Sequence, residues 1–301
     1  MRVVRFIEGY FWIFLLAGIV LGLSYPVFAG FFMSILKPLL MIMLFFVFLK
    51  TDLIHILKQV KDYRLMLYLV IMFMIIIPLL IFMPLNFINQ DLAIGILLLT
   101  AMPAAVSGPS LTDIVKGNIA LASGITIITS IIAPFTVPLL FRLVNYENLS
   151  INTSEIFIDL VILVFIPLIL SQVIKKIVPG IINKGKNKFT AINILIIFIM
   201  VYAAMGSQRE LILNDSISIL WKVGALYILA ILLHFLGYLI GKNHNRENKV
   251  AIIVSLAYKN NGMAIVLAAI HFHPSILILM ILSEFPWATL LAPFRRIIKY
   301  L

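Results

Sequence analysis

Ten predominantly apolar stretches, separated by short polar connections, divide this 301-residue chain. They run approximately 10–28, 31–49, 65–85, 92–115, 118–143, 156–174, 191–205, 218–241, 250–272 and 275–294. Crossing the ~30 Å hydrocarbon core of a bilayer takes about twenty helical residues, because each advances the chain by ~1.5 Å. With 63% hydrophobic and 12% charged residues, the chain could not make a water-soluble surface. Cysteine is absent, which excludes disulfides, thiolate metal sites and a cysteine nucleophile. Arg2 and Arg5 precede an apolar run longer than a signal peptide's and without a small-residue cleavage site, so that run reads as the first span.

Charge placement supports ten spans. If the N-terminus is cytoplasmic, 18 of the 23 basic residues fall in inner segments. These are Arg2, Arg5, Lys50, Lys58, Lys61, Arg64, Lys116, Lys175, Lys176, Lys184, Lys186, Lys188, Lys242, Arg246, Lys249, Arg295, Arg296 and Lys299. Lys37, Arg142, Arg209 and Lys222 lie near outer ends, and Lys259 lies inside a span. This alternation follows the positive-inside rule and predicts a multi-pass protein of the cell membrane with both termini cytoplasmic. The net charge of +11 is then a topology signal, and no nucleic-acid partner is expected.

Two of the ten segments are interrupted, the fourth and the ninth. The fourth carries Pro103, Gly108 and Pro109 within seven residues; the prolines remove two backbone donors and loosen the helix. The ninth carries Lys259-Asn260-Asn261-Gly262, poor helix material around a charge that costs roughly 3 kcal/mol in hydrocarbon unless it faces a partner or a wet cavity. Matching interruptions five segments apart are the signature of an inverted repeat with its solute site where the broken helices meet. The alternative is that the prolines only kink packed helices, which membrane proteins tolerate.

The stretch 103–138, above all Leu111-Thr112-Asp113-Ile114-Val115-Lys116-Gly117-Asn118 and Ala133-Pro134, resembles the bile acid:sodium symporter superfamily. So does Lys259-Asn260-Asn261-Gly262-Met263-Ala264, which is similar to that family's Gln-Asn-Ser-Gly-Leu-Ala motif. The resemblance implies an all-α polytopic membrane protein that forms a single transporter domain, with inverted five-helix repeats at 1–150 and 151–301. Broken helices four and nine would cross in a core domain (spans three, four, five, eight, nine and ten) beside a panel domain (one, two, six and seven). It further implies a secondary transporter that moves a small organic anion by alternating access.

The family's sodium ligands are hydroxyls, amides and a carboxylate, the oxygen donors a hard cation requires. Here a fourth-helix Ser-Asn pair aligns with Gly108 and Pro109, and a fifth-helix serine with Ala122, leaving Thr126 one turn later. The ninth-helix glutamate and glutamine align with Ser255 and Lys259, and the third-helix glutamine falls near Met74. An ammonium where a carboxylate is lost repels sodium, so transport without sodium at these sites is expected, with Lys259 replacing the cation and protons as the possible coupling ion.

Ser107, Ser110, Asn260 and Asn261 are candidate solute-binding residues, because side chains beside unwound backbone can face a cavity, and the resemblance adds Thr126 to them. Lys259 and Glu284 are the candidate coupling residues, with a fixed ion pair between them as the structural alternative. Asp113 and Lys116 read as an i,i+3 surface pair, His234 as a hydrogen-bonded core histidine, and Asp159 and Lys222 as groups at the aqueous rim. An enzyme would need a catalytic constellation, but His55, His234, His244, His271 and His273 are scattered, and His271-x-His273 alone is not a metal site. No cofactor or metal is expected. The rival readings are another ten-span carrier, of auxin-efflux or drug/metabolite-exporter type, and, further off, an intramembrane enzyme.

Overall fold

The computed structural model describes residues 10–50, 62–144, 152–214 and 216–300. Arg2, Arg5, His55, Lys58 and Lys61 lie outside the described residues. Within them the chain is helical, and its one isolated β-bridge joins Ala104 to Lys259. In order the helices are α1 (Phe11–Ser24), α2 (Ala29–Ser34), α3 (Leu36–Lys50), α4 (Tyr63–Asn86), α5 (Gln90–Ala101) and α6 (Gly108–Ile114). Next come α7 (Ile119–Leu143), α8 (Thr153–Ile177), α9 (Pro179–Ser207), α10 (Arg209–Asn214) and α11 (Ser216–Gly241). The last are α12 (Arg246–Ala257), α13 (Asn261–His271), α14 (Pro274–Leu282), α15 (Glu284–Thr289) and α16 (Leu291–Ile297).

Five helical stretches among the described residues are long and apolar enough to cross a membrane: α4, α7, α8, Lys188–Ser207 of α9 and Ile217–Gly241 of α11. A sixth results if Pro274–Thr289 and Leu291–Ile297, bent by 41°, count as one span. Their outer faces are hydrocarbon. Ile217 is 85% exposed and Ile228 70%, on a helix that buries only a narrow stripe; water would not tolerate this, and lipid does. The molecule is a multi-pass membrane protein.

Asparagine starts many of the helices. Asn89, Asn118, Asn152, Asn245 and Asn260 each turn Oδ1 back onto a first-turn N–H, satisfying a donor that has no intrahelical partner. Residues 179–188, between the sixth and seventh apolar stretches, are helical. Pro179 occupies the first position of α9, where its missing N–H costs nothing and its fixed φ suits the helix.

One set of helices packs α1, α2 and α3 against α9, and α3 against α8. Another joins α4 to α5, α7 to α6 and α12, α12 to α11, and α14 to α5 and α13. α8 packs on α7, and α13 touches both α3 and α9. The α1–α9 contact depends on glycine: a Cβ on Gly22 would sit 2.7 Å from the Tyr202 carbonyl oxygen and 2.9 Å from Met205 Cβ. Small residues let membrane helices approach this closely, where no hydrophobic driving force assists.

At one end of the molecule Asp159 on α8 accepts from Lys37 Nζ on α3, and from His271 Nε2 on α13 at 2.9 Å. This tie was not legible in the sequence, which placed Asp159 merely at the rim. It also separates the two histidines, since His273 caps α14 through Ser275.

Candidate functional site

The fourth and ninth apolar segments break where two kinds of local chemistry require it. Pro103 disfavours helical backbone at the residue before it, and Met102 is extended with ψ 150°. Asn260 ends the other break by capping α13, its Oδ1 accepting from Met263 N at 3.1 Å. The unwound stretches are short, 102–107 and 258–260. Helix resumes at Gly108 and Asn261, because Pro109 in the first turn of α6 forgoes an N–H that has no intrahelical partner there.

Unwound backbone inside a bilayer must find hydrogen bonds within the protein. Here each break supplies the other. Ala105 N donates to Tyr258 O at 2.8 Å and Asn260 N to Pro103 O at 2.9 Å. Ala104 N donates to Thr129 Oγ1 at 3.2 Å, and Thr126 Oγ1 to Ala105 O at 3.3 Å, so α7 braces the first break from behind. The N-terminal ends of α7 and α12 are also tied: Asn118 N donates to Glu247 O at 2.9 Å and Asn118 Nδ2 to Asn248 Oδ1 at 2.7 Å.

The paired breaks wall a cavity of about 740 Å³, within the range of ligand sites. Ser107, Ser110, Thr126, Lys259, Asn260, Asn261 and Glu284 all line it, so the fold brings every candidate site residue to one chamber. The facing wall comes from α3 (Met43, Val47, Phe48) and α9 (Asn193, Ile197, Met200), and Trp287 and Leu291 contribute from the last helices. The sequence did not single out this second wall, because Asn193 is the one polar signal in its stretch. Lys50 stands at the rim, exposed and bonded to Thr190 Oγ1 at 2.8 Å. A smaller chamber of about 30 Å³ lies behind Lys259, beside His234 and Tyr258. His234 donates Nδ1–H to Ala230 O at 2.7 Å, as a core histidine does.

Lys259 is 2% exposed and its ammonium has an unanticipated partner, the Phe73 carbonyl at 3.2 Å. The cause lies in α4, which makes a π-turn over Met72–Ile76. In an α-helix Phe73 O would accept from Ile77 N, but Ile77 N donates to Met72 O. The next residue, Pro78, has no N–H. The Phe73 carbonyl is thereby left without a helical donor, and Lys259 supplies one. π-turns recur at functional sites for this kind of exposed backbone group.

Neither the alternative Lys259–Glu284 pair nor the expected Asp113–Lys116 pair forms. Lys259 and Glu284 make no ion pair with each other, because the ammonium is drawn to Phe73 O on α4 while Glu284 opens α15. Asp113 and Lys116 are likewise unpaired: α6 ends at Ile114, and Lys116 has φ 58°, which breaks the helical i,i+3 relation. Asn261 lies beside the Glu284 carboxyl, although its Nδ2 completes no hydrogen bond. Gly108, Pro109 and Ala122 bring no side-chain oxygen to the break, and Ser255 Oγ is buried without a partner. No cluster of three or more His, Cys, Asp or Glu fit to hold a metal occurs among the described residues.

Comparison with known proteins fits this geometry. An uncharacterized sodium-dependent transporter of Bacillus subtilis, YocS, is 26% identical over 190 residues, 61% of this chain and 57% of that protein. A probable sodium/metabolite cotransporter of Arabidopsis thaliana chloroplasts, BASS4, is 26% identical over 188 residues, 56% of this chain and 43% of that protein. Sodium/bile acid cotransporter 7 of Xenopus tropicalis is 25% identical over 192 residues, 62% of this chain and 56% of that protein. The chain thus spans about half the length of the curated relatives it matches. These relatives are transporters, not enzymes. Residues 9–283 match the SBF-like CPA transporter family, and the chain belongs to that family.

Proposed function

We propose that this protein is a secondary transporter that carries a small organic anion across the cell membrane by alternating access. The observation that carries the reading is the pairing of two helix breaks, through backbone hydrogen bonds, at the wall of a cavity of about 740 Å³ that holds a buried lysine. Broken spans joined in this way suit a fixed site around which two bundles rock. Ten spans in two inverted halves, 1–150 and 151–301, are the architecture proposed for it. The α1–α3–α8–α9 set is read as the panel and the remaining helices as the core. The distribution of basic segments supports cytoplasmic termini at both ends.

The cavity reaches the basic end at Lys50, and the Lys37–Asp159–His271 tie lies at the other end of α3, 13 residues and thus about 20 Å away. This supports an inward-facing state with its outer side held shut. Lys259 occupies the position of a sodium-binding amide in the resembled family, and its ammonium holds a backbone carbonyl that a hard cation would seek. Transport is therefore proposed to run without sodium at these positions. Ser107, Ser110, Thr126, Asn260 and Asn261 are the solute contacts, and Lys259 and Glu284 set the charge balance and any proton coupling.

The test is uptake of radiolabelled carboxylates into proteoliposomes containing the purified full chain, in sodium and in potassium. Saturable uptake that is equal in the two salts is expected. Uptake of no acid by folded protein would overturn the carrier reading, and uptake driven only by a sodium gradient would overturn the coupling.

A further inference from the structure

The cavity is lined by two buried ionisable groups, one basic and one acidic, that do not pair with each other. Lys259 is 2% exposed and Glu284 6%, both line the same chamber, and no ion pair joins them. Lys259 uses one N–H on Phe73 O, which leaves two of its three donors. Glu284 makes no side-chain hydrogen bond that completes, and its oxygens are not among the sealed, unpartnered polar atoms. Its carboxylate therefore opens to the cavity. Lys50, the other cation lining the chamber, stands exposed at the rim, where its ammonium donates to Thr190 Oγ1.

An uncompensated buried charge is unfavourable, and a bound group of opposite sign removes the penalty. A simple carboxylate would satisfy Lys259 but bring a second negative charge toward Glu284. A cation would meet the reverse difficulty. A solute with both charges meets an opposite group on each wall.

We propose that the solute is a zwitterion with an apolar body, whose carboxylate meets Lys259 and whose ammonium meets Glu284. Val106, Ile197, Met200 and Trp287 give the apolar body its wall. The class is that of amino acids with aliphatic or aromatic side chains. This keeps the carboxylate of the proposed solute but adds a positive charge that makes it net neutral, and it rests on reading this chamber as the transport site.

Three probes of one shape separate the alternatives: phenylalanine (zwitterion), 3-phenylpropionate (anion) and phenethylamine (cation). Their affinities are measured calorimetrically on the purified full chain. Phenylalanine is expected to bind at least about tenfold tighter than either single-charge probe, the discrimination that one lost charge contact gives. Glu284→Gln should erase that preference and raise affinity for 3-phenylpropionate, whereas Glu284→Asp should keep the zwitterion ahead. If 3-phenylpropionate equals or exceeds phenylalanine on the unaltered protein, the zwitterion assignment is wrong while the anion carrier stands. An unchanged affinity ratio in folded Glu284→Gln also overturns it. If no probe binds and proteoliposomes take up no carboxylate, both readings fall together.

Discussion

Replacing Lys259 by Met separates what this residue does for stability from what it does for transport. The substitution removes a buried ammonium that costs roughly 3 kcal/mol at membrane depth. It also leaves the Phe73 carbonyl without a donor, which costs about 1–3 kcal/mol. The two effects oppose each other, so Lys259→Met should fold and change stability by no more than about 2 kcal/mol. The orphaned carbonyl can be tested directly. Pro78→Ala restores an N–H five residues after Phe73, in register for a π-type bond. In the Lys259→Met background it should recover about 1 kcal/mol more than in the unaltered protein. Thermal unfolding of the four proteins in one detergent gives this coupling, and uptake assays on the same preparations give transport. Uptake should vanish in both Lys259→Met proteins while they remain folded. If the two substitutions add to within about 0.3 kcal/mol, Phe73 O is not the group Lys259 serves. If Lys259→Met transports as before, the lysine has no role in the site.

Three further outcomes follow from other contacts. Sodium and potassium at equal ionic strength should give the same melting temperature, since Gly108, Pro109 and Ala122 offer no side-chain oxygen; a saturable sodium-only rise would reveal ligands rebuilt elsewhere. Gly22→Ala should destabilise by about 1–3 kcal/mol because its Cβ meets the Tyr202 carbonyl at 2.7 Å, while Gly224→Ala, with nothing within 4 Å, should be neutral or mildly stabilising. Equal melting temperatures for the two alanine variants would refute the close approach. Asp159→Asn removes the charge shared by Lys37 and His271 and should cost about 1–3 kcal/mol, with Lys37→Met adding little further in the double variant. Full additivity would mean that the tie does not form.

The sequence by itself determined the class, because hydropathy and charge act locally along a chain in a bilayer. Helices were expected from apolar length, and interruptions from Pro103, Pro109 and Asn260-Asn261-Gly262; both interruptions are present. That Ser107, Ser110, Asn260 and Asn261 face a cavity was legible for the same reason, since polar side chains beside unwound backbone have few other places to go. What the sequence left open depends on groups distant along the chain. Whether Lys259 meets Glu284 or Phe73 is decided by a hydrogen-bond register in α4, where Pro78 was visible but the π-turn before it was not. Asp159 could find Lys37 and His271 only once α3, α8 and α13 were brought to one end of the molecule. The α9 wall of the cavity and the glycine contact between α1 and α9 are likewise products of packing. In lipid, hydrophobicity places every span equally well, and the arrangement of spans is set by small residues, backbone hydrogen bonds and a few polar ties that become partners only in the assembled fold.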